Sequence, residues 1–302
     1  MREFLESQEI DSKLIEEIYK FREYYKLDQE LENRIANPKY NYYGKDVLNK
    51  SIAAILAGKH ILLTGPKASG KNVLAENLSK MFSRPLWNIS MNINTDSASL
   101  IGGDTFRNNE VVFSKGPIFR AAESGGFAIF DEINMAKNES LSVVYSALDH
   151  RREIDVPGYD KIHLHEATRF IGTMNYGYIG TKELNEALVS RFMVIDMPTI
   201  SRENLEQILI NQYSLTQEYR NLFIQLFMDL QKKSLNAEIS SKAVDLRGMF
   251  SSIDLMNMGL NLKDALELGI INKTFDTFEK EIVSDVIDTL FEDKVEYNQI
   301  FK

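Results

Sequence analysis

The sequence of 302 residues predicts an α/β fold: a three-layer αβα sheet of five mostly parallel strands with two β-hairpin insertions, followed by an all-helical domain. Two observations support this prediction. Short apolar runs alternate with helical patterns between residues 41 and 200, and after Pro198 apolar residues recur at three- and four-residue spacing. We therefore expect an N-terminal helical segment at 1–40, an α/β core at 41–200 and a helical domain at 201–302.

The N-terminal segment shows the pattern of an amphipathic helix. Its apolar residues lie four, four, three and four positions apart, which places them on one helix face; they are Ile10, Leu14, Ile18, Phe21 and Tyr25. The dipeptide Asn37-Pro38 interrupts the pattern, because the residue before a proline disfavours helical backbone angles. We place a domain boundary near residue 40 for this reason.

Five apolar runs predict the strands of the sheet. They are rich in Ile, Leu and Phe without strict alternation, which is typical of parallel strands buried on both faces. The runs are residues 60–64, 85–90, 127–131, 169–175 and 192–197. Helical patterns at residues 73–81 and 140–148 supply covering helices, as a doubly wound layer requires.

Two stretches between the predicted strands indicate β-hairpins that project from the sheet. They are residues 102–116 and 152–165, the second with a turn at Pro157-Gly158. Beyond the core, two helical patterns define the last domain. Their apolar positions are Leu222, Phe223, Leu226, Phe227 and Leu230, then Ile282, Val286, Ile287 and Leu290.

Composition excludes several classes of function. The chain has no cysteine, which excludes disulfides, thiolate zinc sites and cysteine nucleophiles. No apolar run approaches the length of about 18 to 20 residues that a membrane helix needs, and the N-terminus lacks a secretory signal pattern. We expect a cytoplasmic protein without membrane insertion. With 44 Asp and Glu against 35 Lys and Arg, nucleic acid is an unlikely partner, and Arg151-Arg152 is the only basic candidate.

A phosphate-binding motif follows the first predicted strand. The pattern G-x-x-x-x-G-K between a strand and a helix lets backbone N–H groups and the helix N-terminus surround phosphates, with the lysine as a point charge. An ordinary glycine-containing turn is the alternative for a pattern this short. The residues are Gly65, Pro66, Lys67, Ala68, Ser69, Gly70 and Lys71.

The motif departs from its usual form at the next position. A Ser or Thr there normally ligates Mg²⁺ through its hydroxyl, whereas this chain has Asn72. A carboxamide oxygen also binds hard cations, but it extends further from the helix. We expect nucleotide binding to survive the change. The rate of hydrolysis is more sensitive to it than binding is.

Two adjacent carboxylates end the third predicted strand. An apolar strand delivers Asp131 to the carboxyl edge of the sheet, where it can hold Mg²⁺ through water. Glu132 can then deprotonate an attacking water. The alternative is that the pair only ends the strand. Because both motifs occur in the expected order and context, we interpret them as a nucleoside triphosphatase site, and the fold class as a P-loop NTPase sheet with a helical lid.

In the order and spacing of these motifs the sequence resembles the AAA+ ATPases, and within them the MoxR-like and dynein-related branch. The resemblance covers about residues 43–247. It extends beyond the two motifs to residues 43–48, 57–63, 116–121, 172–175 and 186–192.

The resemblance implies roles for three further residues. Asn175 is implied as sensor 1, which positions the lytic water, and Arg191 as the arginine finger, which reaches the γ-phosphate of a neighbouring subunit. Arg247 is implied as sensor 2 of the lid. Without the resemblance, Asn175 is a turn residue and Arg191 belongs to a surface ion pair. The predicted catalytic residues are Glu132, Asn175 and Arg191; the nucleotide-binding residues are Gly65, Pro66, Lys67, Ala68, Ser69, Gly70, Lys71, Asn72, Val73 and Arg247; the metal ligands are Asn72 and Asp131.

The implied function is an ATPase that binds ATP with Mg²⁺ and works as a homo-oligomeric ring, expected to be a hexamer. It would remodel or mature a client protein, with proteins that carry a von Willebrand factor A domain among the expected partners. In this branch the two hairpins approach the ring pore, so Phe106 and Arg107 at the first tip could contact a client.

Two other readings stay open at this stage. One is a nucleotide-driven, DNA-associated motor of restriction type, against which the acidic composition speaks. The other is a slow or non-hydrolysing nucleotide switch or scaffold, suggested by Asn72 and opposed by the retained Glu132. Histidines His163 and His165 share a strand face, but no further metal ligands accompany them.

Overall fold

A computed structural model describes residues 1–156, 158–176, 183–292 and 294–302. By backbone contacts the chain divides into two compact units. The first comprises Met1–Pro66 and Gly70–Pro198, and the second comprises Lys67–Ser69 and Thr199–Lys302.

The first unit alternates helices and strands. In chain order its elements are α1 (Arg2–Ser7), α2 (Ser12–Tyr24), α3 (Lys45–Leu56), β1 (Ile61–Gly65), α4 (Lys71–Phe82), β2 (Leu86–Ser90), α5 (Ser97–Ile101), β3 (Gly102–Arg107), β4 (Glu110–Lys115), α6 (Pro117–Ser124), β5 (Phe127–Asp131), α7 (Asn138–Leu141), α8 (Tyr145–Leu148), β6 (Glu153–Ile154), β7 (Ile162–His163), β8 (Arg169–Asn175), α9 (Glu186–Val189) and β9 (Met193–Asp196).

Five strands form the central sheet in the order β2-β5-β8-β1-β9, and every neighbouring pair is parallel. The predicted sheet is therefore confirmed. For β5 and β8 the predicted bounds agree to the residue. Strand β8 lies between β5 and β1, so the carboxyl ends of these three strands meet at one edge of the sheet.

Apolar side chains cover the sheet on both faces, because successive strand residues point to opposite sides. Leu62, Phe130 and Phe170 belong to one core cluster, which includes residues of α6. Ile61 and Ile129 belong to the other cluster, which includes residues of α2, α3 and α4. The three-layer αβα arrangement follows from these two cores.

The N-terminal segment packs on the second of these cores. Buried residues of α1 and α2 and of the turn between them, such as Leu5, Ile10 and Ile18, belong to the same cluster as the sheet residue Ile61. The segment contains two helices rather than one, because Glu9 adopts a left-handed conformation (φ 52°) between them. The side chain of Asp11 then caps α2.

The first predicted hairpin is confirmed as the antiparallel pair β3–β4. Its turn residues Asn108 and Asn109 both have positive φ, as the tight hairpin turns of type I′ require. The second hairpin is smaller than predicted, because β6 and β7 pair over two residues each. The sequence predicts the turn of this hairpin at Pro157-Gly158. Gly158 has a φ of 84°, and Pro157 lies outside the described residues.

The helix predicted at residues 140–148 is wrong as one continuous element. The segment forms α7, a 3₁₀ turn at Ser142–Val144 and α8. The hydroxyl of Ser142 donates to the carbonyl of Glu139 at 2.7 Å, a side-chain bond that competes with regular helix formation. The β-branched Val143-Val144 pair also lowers helix propensity there.

The second unit is helical, which confirms the predicted C-terminal region. Its helices are α10 (Arg202–Gln212), α11 (Gln217–Leu235), α12 (Leu246–Asn257), α13 (Leu262–Gly269), α14 (Thr277–Leu290) and α15 (Tyr297–Ile300). In α11 the predicted core positions are buried except Leu222, which is half-buried. In α14 the buried residues are Val283 and Ile287, so the predicted stripe is shifted around the helix. Among the described residues, no helix is both long and apolar enough to cross a membrane.

Candidate nucleotide-binding site

The loop that joins β1 to α4 has the backbone of a phosphate cradle. Ala68 (φ 63°) and Gly70 (φ 83°) adopt left-handed conformations, and Gly70 directly precedes α4. The carbonyl of Gly70 accepts the first helical bond, from Leu74 at 2.8 Å. Successive N–H groups in such a loop, ahead of a helix N-terminus, form an anion-binding concavity.

Lys71, the first residue of α4, bridges this loop. Its side chain is buried, and Nζ donates to the carbonyl oxygens of Gly65 at 3.0 Å and Pro66 at 2.8 Å. Burial lowers the pKa of Lys71 to about 8, while Asp131 and Glu132 act in the opposite direction. A negatively charged ligand would favour the protonated, ammonium form of this side chain.

The ring of Tyr42 packs against Gly70, the residue that ends this loop. A side-chain Cβ on Gly70 would lie 3.2 Å from two carbon atoms of the Tyr42 ring, so the ring packs directly against the glycine backbone. Tyr42 is buried, and burial raises the pKa of its hydroxyl to about 12. A side chain at position 70 would therefore meet both an unfavourable φ and a close neighbour.

The acidic pair at the end of β5 is bound by a threonine of β8. Thr173 donates from Oγ1 to Oδ1 of Asp131 at 2.7 Å, and the same Oγ1 accepts the backbone N–H of Glu132 at 3.2 Å. Glu132 itself is exposed and has a φ of 55°. A non-glycine residue in this conformation is a form of strain that clusters at functional sites.

Asn175, at the end of β8, completes the arrangement. Its Nδ2 donates to Oε1 of Glu132 at 3.3 Å. In the pairing of β1 with β8, Asn175 is the direct partner of Gly65, the first residue of the phosphate loop. Three sequence-predicted elements (the loop, the acidic pair and Asn175) therefore lie together at the carboxyl edge of the sheet.

Asn72 and Val73 lie in the first turn of α4 and are half-buried. Across the described part of the chain, no group of three or more His, Cys, Asp and Glu residues could hold a metal ion by itself. Mg²⁺ in nucleotide sites is typically held by one or two carboxylates together with substrate phosphates. The half-buried carboxylate of Asp131 and the carboxamide of Asn72 suit that kind of site. His163 and His165 are exposed, and Nδ1 of His165 accepts the backbone N–H of Ala167.

Arg191 lies between α9 and β9, and its guanidinium contacts other residues of the same chain. Its Nη1 donates to the carbonyl of Ala187, its Nη2 lies 3.9 Å from Oδ2 of Asp149, and its Cζ lies 4.8 Å from the centroid of the Tyr145 ring. None of these partners belongs to the predicted nucleotide site. Arg247 is an exposed residue of α12 in the second unit.

Sequence reasoning missed Thr173, although a signal for it was available. Residues 173 and 175 lie two apart on one strand and therefore point to the same face. It also missed a second polar group at this edge, where Oδ1 of Asp196 accepts the hydroxyl of Tyr176 at 2.7 Å and that of Thr64 at 3.4 Å. No motif marks that group in the sequence.

A parallel sheet of this strand order, with a glycine-rich loop after β1 and an acidic pair after β5, defines a P-loop nucleoside triphosphatase fold. A family model of the AAA domain (dynein-related subfamily) matches residues 60–192, from the start of β1 to the start of β9. The chain belongs to this AAA family.

The chain is also similar to bacterial proteins over most of their length. The uncharacterized protein YojN of Bacillus subtilis is 35% identical over 272 residues, which cover 88% of this chain and 89% of YojN. The uncharacterized protein SSP1341 of Staphylococcus saprophyticus is 32% identical over 265 residues, which cover 85% of this chain and 100% of that protein. The uncharacterized protein SAOUHSC_01413 of Staphylococcus aureus is 33% identical over 260 residues, which cover 83% and 98%.

Proposed function

We propose that this protein is a MoxR-like AAA+ ATPase that hydrolyses ATP with Mg²⁺ in an oligomeric ring and uses the energy to remodel or mature a client protein. The observation that carries the proposal is the placement of the Glu132 carboxylate. Asn175 donates to this carboxylate and Thr173 accepts the backbone N–H of Glu132, at the sheet edge where the phosphate loop begins. A protein that only bound nucleotide would have no use for an oriented, exposed carboxylate at that position.

In this proposal the phosphate loop binds the triphosphate of ATP. Lys71 exchanges its two carbonyl partners, on Gly65 and Pro66, for phosphate oxygens. The backbone N–H groups between Gly65 and Lys71 contribute further donors. Without ATP, these carbonyls hold the ammonium group in place. The group is therefore hydrogen-bonded both before and after ATP binds.

Asn72 and Asp131 would hold Mg²⁺ beside the bound phosphates. The ion neutralises negative charge on the β- and γ-phosphates when it is bound. The hydroxyl of Thr173 fixes Oδ1 of Asp131, so the carboxylate has one orientation before any ligand arrives. Preorganisation of this kind lowers the cost of assembling the site.

Glu132 acts as the general base that takes a proton from the attacking water. Its side chain is exposed, which gives water access, and Asn175 restricts its orientation. The left-handed backbone of Glu132 turns the chain sharply after β5 and is held by the bond from its N–H to Thr173.

Arg191 supplies positive charge to the γ-phosphate on a neighbouring copy of the chain. An arginine that stabilises the transition state in trans is worth on the order of 10³ to 10⁵ in rate. Head-to-tail contacts of this type either close into a ring or continue as a helix. We propose a ring, with six subunits. The contacts of Arg191 with Tyr145 and Asp149, outside the nucleotide site of its own subunit, support this assignment.

The hairpins are the proposed contact with the client. Phe106 is 71% exposed and Val111 is 65% exposed, and the two are direct cross-strand partners near the tip of the first hairpin. Tyr159 of the second hairpin packs on Phe113 of the first and donates to Asp104. The two hairpins can therefore move together. A protein with a von Willebrand factor A domain is the class of client that we propose.

The DNA-motor alternative gains no support from its two basic candidates. Arg151 forms a bidentate ion pair with Asp149, and Arg152 donates to the carbonyls of His165 and Thr168. Both side chains already have partners within their own chain.

A subunit-mixing experiment tests the proposal. Glu132→Gln and Arg191→Ala should each abolish steady-state ATP hydrolysis when assayed alone. Mixed in equal amounts, they should recover activity, because an Arg191→Ala subunit keeps Glu132 and can receive Arg191 from its neighbour. About one site in four has that combination in a random ring, so we expect up to about a quarter of the wild-type rate.

The matched control is a mixture of Glu132→Gln with Lys71→Ala. Both changes damage the same site in cis, so no subunit in that mixture has an intact site and no activity should return. A mixture of Glu132→Gln with Arg191→Ala that stays as inactive as its components would remove the trans role of Arg191.

A further inference from the structure

Arg191 has few partners for the hydrogen-bond donors of its guanidinium. Within the described part of the chain, Nη1 has one acceptor, the carbonyl of Ala187, and Nε is buried with no hydrogen-bond partner. The rest of the group lies over the ring of Tyr145. Because a buried donor without an acceptor is costly, the guanidinium would lose little by leaving this position for an anion.

Among the described residues, Asp149 is the carboxylate that forms an ion pair with this arginine, and it is shared with Arg151. Arg151 holds both oxygens of Asp149, with Nη2 to Oδ2 at 2.7 Å and Nε to Oδ1 at 3.1 Å. Arg191 reaches the same Oδ2 only at 3.9 Å, which is charge contact without a hydrogen bond. The hydrogen bond from Arg151 lowers the pKa of Asp149 to about 2, so the carboxylate is ionised at neutral pH.

We propose that Asp149 is the resting counterion of Arg191, and that it holds this arginine on its own subunit until a phosphate of a neighbouring copy replaces it. Arg151 competes for the same carboxylate and therefore weakens the hold. Asp149 and Arg151 are in this sense positioning residues for a group that acts in trans. The inference rests on the proposed function, because it takes Arg191 to be the residue that reaches the neighbour's nucleotide.

The competition predicts opposite effects for the two partners. Asp149→Asn removes the charge that holds Arg191 and keeps an Oδ1 acceptor for the backbone N–H of Arg151, so the local turn survives. Arg151→Gln removes the stronger partner and leaves the carboxylate to Arg191 alone. The first change should release Arg191 and the second should hold it more firmly.

The experiment measures the association of subunits in the presence of ATP by sedimentation. All variants carry Glu132→Gln, so that hydrolysis does not consume the nucleotide. Asp149→Asn should lower the protein concentration for half-association by about two- to five-fold, the effect expected of one partly exposed ion pair. Arg151→Gln should raise it by a similar factor. A purely structural role predicts weaker association for both variants, and that result would overturn the proposal.

Two controls isolate the cause. Glu17→Gln removes the acidic partner of Lys20 on α2 and should leave association unchanged, because its charge change is the same but neither Arg151 nor Arg191 is its partner. In an Arg191→Ala background, Asp149→Asn should also have no effect. A shift that persists there would assign the effect to another contact and contradict the proposal.

The experiment separates this inference from the proposed function. If subunits of the Glu132→Gln protein do not associate in the presence of ATP at any protein concentration, the proposed ring is wrong. If the subunits associate and Arg191→Ala weakens association, but Asp149→Asn behaves like Glu17→Gln, only the role of Asp149 fails.

Discussion

The side chain of Asn175 donates a hydrogen bond to the carboxylate of Glu132 at 3.3 Å, joining the end of β8 to the residue that follows β5. The same strand reaches the phosphate loop, because Asn175 is paired in register with Gly65 of β1. One strand therefore relates the proposed base to the proposed phosphate cradle. Its residue Thr173 adds two more bonds to the acidic pair. These contacts make β8 the element on which the geometry of the site depends.

The hydroxyl of Thr173 should be needed for hydrolysis. In Thr173→Val the carboxylate of Asp131 loses a hydrogen bond and the N–H of Glu132 loses its acceptor. Hydrogen bonds to charged groups are worth about 1.5–3 kcal/mol, so we expect kcat to fall by about 10- to 100-fold with a smaller change in ATP affinity. Thr173→Ser keeps the hydroxyl and should restore most of the rate. Equal rates for the Val and Ser variants would show that packing at this position matters and the hydroxyl does not.

The strands were predictable because burial on both faces leaves a clear apolar signature, and β5 and β8 have the predicted bounds. The loop and the acidic pair were predictable from local motifs. The contact between Asp149 and Arg191 was not, because it joins two short loops whose approach depends on the packing of the whole unit. The break within the predicted 140–148 helix coincides with a side-chain hydrogen bond of Ser142 and with the β-branched pair Val143-Val144, neither of which is part of the periodic pattern.

ATP affinity should depend on pH through Lys71. Burial lowers the pKa of this lysine to about 8, and an anionic ligand favours its protonated form. Below about pH 8 the ammonium form is already present, so affinity is at its maximum; as pH rises above about 8, binding must first restore the proton and affinity falls. Calorimetry between pH 7 and 9.5, in buffers of different ionisation heat, should show proton uptake that grows with pH.

Asp131→Asn provides a check on the same lysine. Asp131 raises the pKa of Lys71 against the effect of burial, so its removal should move the midpoint of the pH profile to lower pH. Lys71→Arg should bind more weakly and with a flat profile, since arginine stays charged throughout this range. A wild-type affinity that is constant from pH 7 to 9.5 would contradict the assignment.

Comparing Gly70 with Gly158 isolates the effect of the Tyr42 ring on a substitution in the phosphate loop. Both have a φ near 84°, but a Cβ on Gly70 would lie 3.2 Å from the ring of Tyr42, whereas a Cβ on Gly158 would meet nothing within 4 Å. Replacement by alanine costs about 1 kcal/mol from φ alone at either position. We expect Gly70→Ala to reduce the free energy of unfolding by more than Gly158→Ala, measured by urea denaturation, and to weaken ATP binding. Equal losses in the free energy of unfolding for the two variants would show that the Tyr42 ring moves aside at no cost in stability.

Asn72 should contribute to binding of Mg²⁺ with ATP. Asn72→Ala removes the carboxamide oxygen from the first turn of α4 and should raise the Mg²⁺ concentration for half-maximal hydrolysis by about tenfold, the loss expected for one ligand of a hard cation. Asn72→Ser supplies the hydroxyl found at this position in most P-loops and should show no such loss. ATP binding measured in EDTA should be the same for all three proteins. An Ala variant with an unchanged Mg²⁺ requirement would exclude Asn72 from the metal site.

Single-turnover hydrolysis by the wild type and by Glu132→Gln, at the same occupancy with ATP and at a protein concentration where subunits associate, tests the enzymatic role most directly. A positioned general base contributes about 10² to 10⁴ in rate. We predict a loss of at least about 100-fold in the cleavage step, with ATP binding unchanged. Equal cleavage rates for the two proteins would contradict a hydrolytic role for Glu132 and would leave a nucleotide-dependent scaffold as the function of this chain.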